Sequence, residues 1–220
     1  EYAIDIAKEC HHLNLKTVAV TAGYIMPEAR EVFFRYMDAA NIDLKAFTQT
    51  FYKKICMANL EPILDTLIYL KHETDVWFEL TNLVIPHHND SHNELEQMTK
   101  WIVKNLGPDV PLHFTAFHPD YKMKDSPNTE AKSLFEAYNI AKQNGLNYVY
   151  TGNIHDQKTG STYCPSCKHC IIERNWYELG EYHIRNGRCK FCDTKIAGKF
   201  LDKAGTWGRK RQAIPSMFFK

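Results

Sequence analysis

The 220-residue sequence has no apolar run long enough to cross a bilayer. Its longest, Val76 to Pro86, is interrupted by Glu79, Thr81 and Asn82 and falls far short of the roughly 18 residues a span needs. An excess of one charge is also missing. Lysines and arginines number 27 against 26 aspartates and glutamates, a net +1, so no overall field draws the chain to nucleic acid or to a membrane surface. Cysteine is scarce in most of the chain: only Cys10 and Cys56 lie in the long first part, and five of the seven crowd between Cys164 and Cys192. A disulfide-built secreted domain is therefore not expected; a reducing, cytoplasmic setting and a bound metal are. An apolar signal core is absent as well. The opening EYAIDIAKECHHL reads as an amphipathic helix, and its start on Glu1 instead of Met leads us to expect a piece of something longer. What remains, 44% hydrophobic and 24% charged, is the balance of a globular chain with one large domain and a small appendage.

Hydrophobic periodicity predicts short strands at 17–20, 41–44, 76–80 with an extension toward 85, 112–117 and 148–150. Helical patterns lie between them. Pro27 suits a first helical position for a run to Asp38, and Glu61-Pro62 opens another to His72. Ser91 with Glu94 three residues on predicts a capping box for a helix ending at Leu106 before Gly107-Pro108. Thr129 is expected to cap a helix to Gln143, closed by Asn144-Gly145. Strand and helix in alternation predict an α/β fold with a parallel sheet, either doubly wound or curved into a barrel; the pattern does not choose. In both cases ligands gather beyond the carboxyl ends of the strands.

Several residues there are polar without any need of the core. Asp43 and Lys45 fall on one face at period two, so an ammonium and a carboxylate stand side by side, able to hold a zwitterion or simply to pair with each other. His118, before Pro119, is placed where an imidazole faces a ligand or solvent. His87 and His88 are adjacent, so their side chains diverge and make a poor bidentate metal site. Cys10 and Cys56 have no partner at motif spacing and are expected as small buried hydrophobes.

Cys164-Pro165-Ser166-Cys167 and Cys189-Lys190-Phe191-Cys192 form two CxxC turns with 21 residues between them, close to the C-x2-C-x15–20-C-x2-C spacing of tetrahedral zinc. Iron and a redox pair are the alternatives; Cys170 and His169 are competing ligands. Four thiolates leave no open position, so the site reads as structural. The segment beyond, with Lys203, Arg209, Lys210 and Arg211 among Trp207, Phe218 and Phe219, is a basic aromatic tail in which nucleic-acid binding is disfavoured against a solvated or packed end.

Taken together, VAVTAGY at 18–24, NIDLKAF at 41–47, LTNLVIPHHND at 80–90, HFTAFHPDYK at 113–122 and YVYTGN at 148–153 resemble the radical SAM enzymes of the pyruvate formate-lyase activating type. The AmmeMemoRadiSam-system branch, which also ends in CPxC…CxxC, is the nearer likeness. The resemblance implies a partial (β/α) barrel over residues 1–158, a zinc-ribbon-like module over 159–200 and the tail over 201–220. It also implies S-adenosylmethionine and a 4Fe-4S cluster as cofactors, and an oxidoreductase that cleaves S-adenosylmethionine reductively for hydrogen abstraction. Thr21 and Gly23 match a TNG-like element in which Ala22 replaces Asn; Asp43 and Lys45 match a DxK element beside S-adenosylmethionine; His118 matches a histidine facing the nucleoside. Departing from that pattern, the chain has neither the CxxxCxxC motif that holds the cluster nor the Gly-Gly-acid-Pro element. The expectation is an incomplete barrel, inactive as it stands, whose substrate is not legible although activating enzymes act on proteins. Cys164, Cys167, Cys189 and Cys192 are the expected zinc ligands. Two other classes stay open: a non-catalytic zinc-ribbon module binding protein or RNA, and a small-molecule enzyme on a complete but divergent α/β fold.

Overall fold

Helix α1 (Tyr2–His12) leads into strand β1 (Val18–Thr21), and the chain then alternates: α2 (Pro27–Phe34), β2 (Ala39–Asp43), α3 (Gln49–Phe51), α4 (Glu61–Glu73), β3 (Trp77–Val84), α5 (His92–Leu106), β4 (Leu112–Ala116), α6 (Ala131–Gln143) and β5 (Val149–Gly152). This computed structural model describes residues 1–201 and 203–205 and divides into two units, Glu1–Ile154 and His155–Lys220. Among the described residues no helix is long and apolar enough to cross a membrane.

The five strands are all parallel and lie in sequential order, β1-β2-β3-β4-β5. A doubly wound sheet reverses its order partway; a sequential one, with crossovers of one hand, keeps every helix on the same face. Burial agrees. In β3, Phe78, Leu80, Asn82 and Val84 are buried while Trp77, Glu79, Thr81 and Leu83 are half-exposed. The register continues the buried face through Ile42, Leu80, Leu112 and Val149. Against it pack Ile63, Leu67 and Leu70 of α4, Met98, Ile102 and Leu106 of α5, and Leu134, Ala137 and Ala141 of α6. At roughly 1.5–3 kcal/mol for each large apolar side chain taken from water, this one-sided layer is what holds the unit together. Among the described residues of the first unit no helix layer covers the opposite, bare face.

Local signals set most helix ends. Pro27 opens α2, the Ser91 hydroxyl accepts from the Glu94 amide at 3.3 Å, and α5 stops at Gly107, whose φ of +90° only glycine adopts without strain. Two expectations need correction. The α2 helix ends at Phe34, not Asp38: the Asp38 carboxylate accepts from Lys16 Nζ (2.8 Å), the Thr17 amide (2.9 Å) and His11 Nε2 (3.0 Å), which draws Asp38 toward the start of β1 and away from the helix. Nor does Thr129 cap α6, whose N-cap is Glu130. The Thr129 hydroxyl instead donates to the Val84 carbonyl at 2.5 Å and accepts from the Phe117 amide at 3.0 Å. The sequence pattern also missed α3, which is capped by Thr48 and runs into a π-helical turn, Tyr52–Cys56.

The second unit begins with α7 (Gln157–Gly160), capped by Asp156 and tied to the ribbon through Gln157 and Glu173. It continues as an antiparallel sheet of β6 (Thr162–Tyr163), β7 (Cys170–Asn175) and β8 (Glu178–Tyr182), followed by the hairpin β9 (Ile184–Arg185) and β10 (Arg188–Cys189). Among its described residues the buried apolar set is small: Ile171, Ile172, Ile184 and Ile196 beside Cys164 and Cys189. The expected basic tail falls outside the described residues, apart from 201 and 203–205.

Candidate functional site

Because the strands are parallel, Thr21, Asp43, Val84, Ala116 and Gly152 all end at one edge of the sheet. Asp43 is the last residue of β2 and lies on the bare face. Its Oδ2 pairs with Lys45 Nζ at 2.9 Å, with the two side chains 33% and 40% exposed, so the pair remains open to a ligand. Asn41, two residues earlier on the same face, reaches Asp43 Oδ1 at 3.5 Å and accepts from the Thr81 hydroxyl at 2.8 Å. The register then sets Asp43, Thr81, His113 and Tyr150 in one row across four adjacent strands.

The turn carrying Lys45 is fixed from several sides. Its amide donates to the Tyr52 hydroxyl at 3.1 Å, and its carbonyl accepts from Asn82 Nδ2 (3.2 Å) and Asn89 Nδ2 (2.6 Å). Asn82 also donates to the Leu44 carbonyl at 2.8 Å, and the Phe47 amide donates to Glu94 Oε1 at 2.7 Å. Burial holds the Tyr52 hydroxyl well above its ordinary titration range, so it serves Lys45 as a neutral acceptor. Burial likewise raises the Glu94 carboxyl, against the Phe47 amide that favours its ionised form. Four buried or half-buried side chains therefore position a loop of only a few residues.

The other expected residues fall differently. Thr21 pairs in register with Ile42, which puts it on the helix-covered face, opposite Asp43; its hydroxyl accepts from the Gly23 amide at 3.2 Å. Gly23 has φ +68°, and a Cβ there would stand 2.9 Å from Ile42 Cγ2. His118 is exposed, two residues past the end of β4. His87 and His88 part as expected: the His87 amide donates to Asp90 Oδ1 at 2.9 Å, while His88 Nε2 lies 3.1 Å from the Ser126 hydroxyl. The polar residues of the bare face that the sequence reading passed over are Asn41, Glu79, His113 and Tyr150. Their signal was period-two polarity inside strands, at Asn41/Asp43, Glu79/Thr81 and His113/Thr115.

In the second unit the sulfurs of Cys164, Cys167, Cys189 and Cys192 all lie within 4.8 Å of one another. Cys164 and Cys192 are 3.5 Å apart, Cys167 and Cys189 3.7 Å, close to the roughly 3.8 Å edge of a tetrahedron with 2.3 Å metal–sulfur bonds. The two turns are built alike. The Cys164 amide donates to the His169 carbonyl and the Lys168 amide to the Cys164 carbonyl; the Cys189 amide donates to the Thr194 carbonyl and the Asp193 amide to the Cys189 carbonyl. Lys168 and Asp193, at matching positions, both take the left-handed conformation, with φ +63° and +59°. Hydrogen bonds from the Thr194 hydroxyl and amide hold Cys192 down to about 6. Against the His169 amide, burial and the neighbouring sulfurs push Cys167 up to about 12. Four thiolates this close cannot all ionise without a cation among them, so the donor set fits a single metal ion. A four-iron cluster, whose thiolates bind four different irons, needs a wider cage. Cys170 stands in β7 outside the group, its thiol raised by burial.

No family model matches the sequence. The uncharacterized protein MJ0808 of Methanocaldococcus jannaschii is 38% identical over 198 residues, which are 89% of this chain and 58% of that protein. The chain thus spans less than two thirds of the length of the curated relative it matches. Among solved structures, a domain of pyruvate-formate lyase-activating enzyme from Bacteroides vulgatus aligns with a TM-score of 0.61 at 18% identity, covering 69% of this chain and 90% of that one. A radical SAM methyltransferase from Sphaerobacter thermophilus aligns with a TM-score of 0.52 at 11% identity, over 63% of this chain and 41% of that one. At these identities the likeness is one of fold: the α/β architecture with its parallel sheet is shared with these two solved structures.

Proposed function

We propose that this chain is the nucleoside-holding part of a radical SAM enzyme, akin to the activating enzymes and to the AmmeMemoRadiSam branch, followed by a structural zinc ribbon. The observation that carries the proposal is the parallel sheet with its helices on one side, whose other face ends in the Asp43–Lys45 pair on a loop clamped by Tyr52, Asn82 and Asn89. S-adenosylmethionine brings a methionyl zwitterion, ribose hydroxyls and an adenine, and its sulfonium yields to reductive cleavage. Asp43 suits the amine or a ribose hydroxyl, Lys45 the carboxylate, and His118 with Gly23 lines the same end of the sheet. No residue set of the first unit fits a four-iron cluster. Its two cysteines, Cys10 and Cys56, belong to no group of metal-ligating side chains among the described residues. We therefore assign this chain no electron transfer and expect it to be inactive alone, the cluster being supplied by another part of a longer protein. Its substrate is a protein or a small molecule that this face admits.

Calorimetric titration of the full-length protein with S-adenosylmethionine tests the reading. Binding is expected, and Asp43→Ala should weaken it by about tenfold or more, the value of one charge-assisted contact. Undiminished affinity in that variant, with the wild type binding, would remove Asp43 from the pocket; no binding in the wild type would end the proposal.

A further inference from the structure

The bare face carries a second constellation that the Asp43–Lys45 pair does not use. Glu79 of β3 and His113 of β4 meet diagonally across the strands, Oε2 to Nε2 at 2.7 Å. The other carboxylate oxygen of Glu79 accepts from the Trp77 indole N–H at 3.2 Å. The His113 ring stacks on Tyr150 of β5, with centroids 4.8 Å apart and planes inclined by 23°. Its orientation is thus fixed from two sides. Side-chain exposure of 31% for His113 and 37% for Glu79 leaves both within reach of a bound molecule.

A carboxylate only accepts hydrogen bonds, so the shared proton sits on His113 Nε2, and in the neutral ring it is Nδ1 that carries the lone pair. Among the described residues Nδ1 takes part in no hydrogen bond; the ring's one polar contact is through Nε2. His113 belongs to the row of Asp43, Thr81 and Tyr150 and stands two strands from Asp43. At the usual spacing between strands of roughly 4.8 Å, that is about 10 Å. A molecule seated beside Asp43 and Lys45 would therefore have His113 about two strand spacings away.

We infer that His113 is a substrate-contacting proton acceptor, whose Nδ1 takes the proton of a hydroxyl- or amine-bearing substrate bound on the bare face. The substrate's O–H bond, or an N–H bond of its ammonium form, breaks with the electron pair left on the oxygen or nitrogen, an N–H bond forms at Nδ1, and the Glu79 carboxylate balances the charge of the resulting imidazolium; there is no change of oxidation state. Glu79 is the positioning residue. That the neighbouring molecule is S-adenosylmethionine rests on the functional reading above, whereas the acceptor itself does not.

The test uses the full-length protein with 15N-labelled histidine. Imidazole NMR of the wild type is expected to show His113 as the Nε2–H tautomer, favoured by about tenfold or more. In Glu79→Gln, whose amide donates as well as accepts, that preference should fall toward equality. Diethyl pyrocarbonate, which acylates unprotonated imidazole nitrogens, should modify His113 in the wild type, located by mass spectrometry. An Nδ1–H tautomer, a His113 inert to the reagent, or a tautomer ratio unmoved by Glu79→Gln would overturn the inference. Failure of S-adenosylmethionine to bind, with tautomer and acylation as expected, would retire the functional reading and leave the acceptor standing.

Discussion

Asn89 donates its side-chain amide to the carbonyl of Lys45 at 2.6 Å, joining two loops 44 residues apart in the chain. The same amide reaches the Leu83 carbonyl at 2.8 Å, and Asn89 Oδ1 accepts from the Ile85 amide at 2.6 Å. With 1% exposure, Asn89 leaves its partners no water to fall back on. Asn89→Ala is expected to cost about 2–4 kcal/mol in urea unfolding and to weaken any ligand held by Lys45.

Asp43→Ala should behave in the opposite way. The Asp43–Lys45 pair is partly exposed, so its loss is expected to change stability by less than about 1 kcal/mol while still reducing ligand affinity. Chemical denaturation beside calorimetry on the same samples separates the two effects. A large stability loss would show that the pair is a structural cap.

Glu94 provides a pH signature. Burial raises its carboxyl above the unfolded value, so the proton is held more tightly in the folded state. Its favourable contribution is complete below the unfolded pKa and is lost as pH rises through the folded one. Glu94→Gln keeps an acceptor for the Phe47 amide without the charge. Relative to the wild type, this variant should therefore gain stability between pH 4 and pH 8; a difference that stays flat or falls would contradict the assignment.

Gly23→Ala is expected to destabilise by about 1–3 kcal/mol, because φ +68° and a Cβ 2.9 Å from Ile42 Cγ2 both oppose a side chain. Thermal unfolding of the variant checks this.

Elemental analysis should find about one zinc per chain. Cys189→Ser or a strong chelator is expected to release it and to open residues 155–201 to protease, while helices and sheet of the first unit keep their circular dichroism. Retained resistance without metal would mean that the small isoleucine core suffices.

Features that depend on near neighbours were legible in the sequence. The Ser91 cap, the stop at Gly107 and both CxxC turns need only residues within a few positions of one another. Asp43 and Lys45 could be paired because a strand repeats every two residues. What was not legible depends on register. Glu79 and His113 meet across 34 residues, and Thr21 falls on the covered face only because it stands opposite Ile42. The two threonine and glutamate capping signals diverged for the same reason. Thr129 found the Val84 carbonyl 45 residues away, and Glu94 turned to the Phe47 amide 47 residues away instead of back to Ser91. A hydroxyl or carboxylate at a helix start has several possible partners, and only the folded chain decides among them.

The matched cysteine turns have a mechanical consequence. Every residue between Cys167 and Cys189, including the exposed Tyr177 at the β7–β8 bend, lies inside a loop whose two ends would grip the same ion once a metal is bound. Severing the backbone at that bend would yield two peptides that travel as one until the metal is removed, as fragments bridged by a disulfide do until it is reduced.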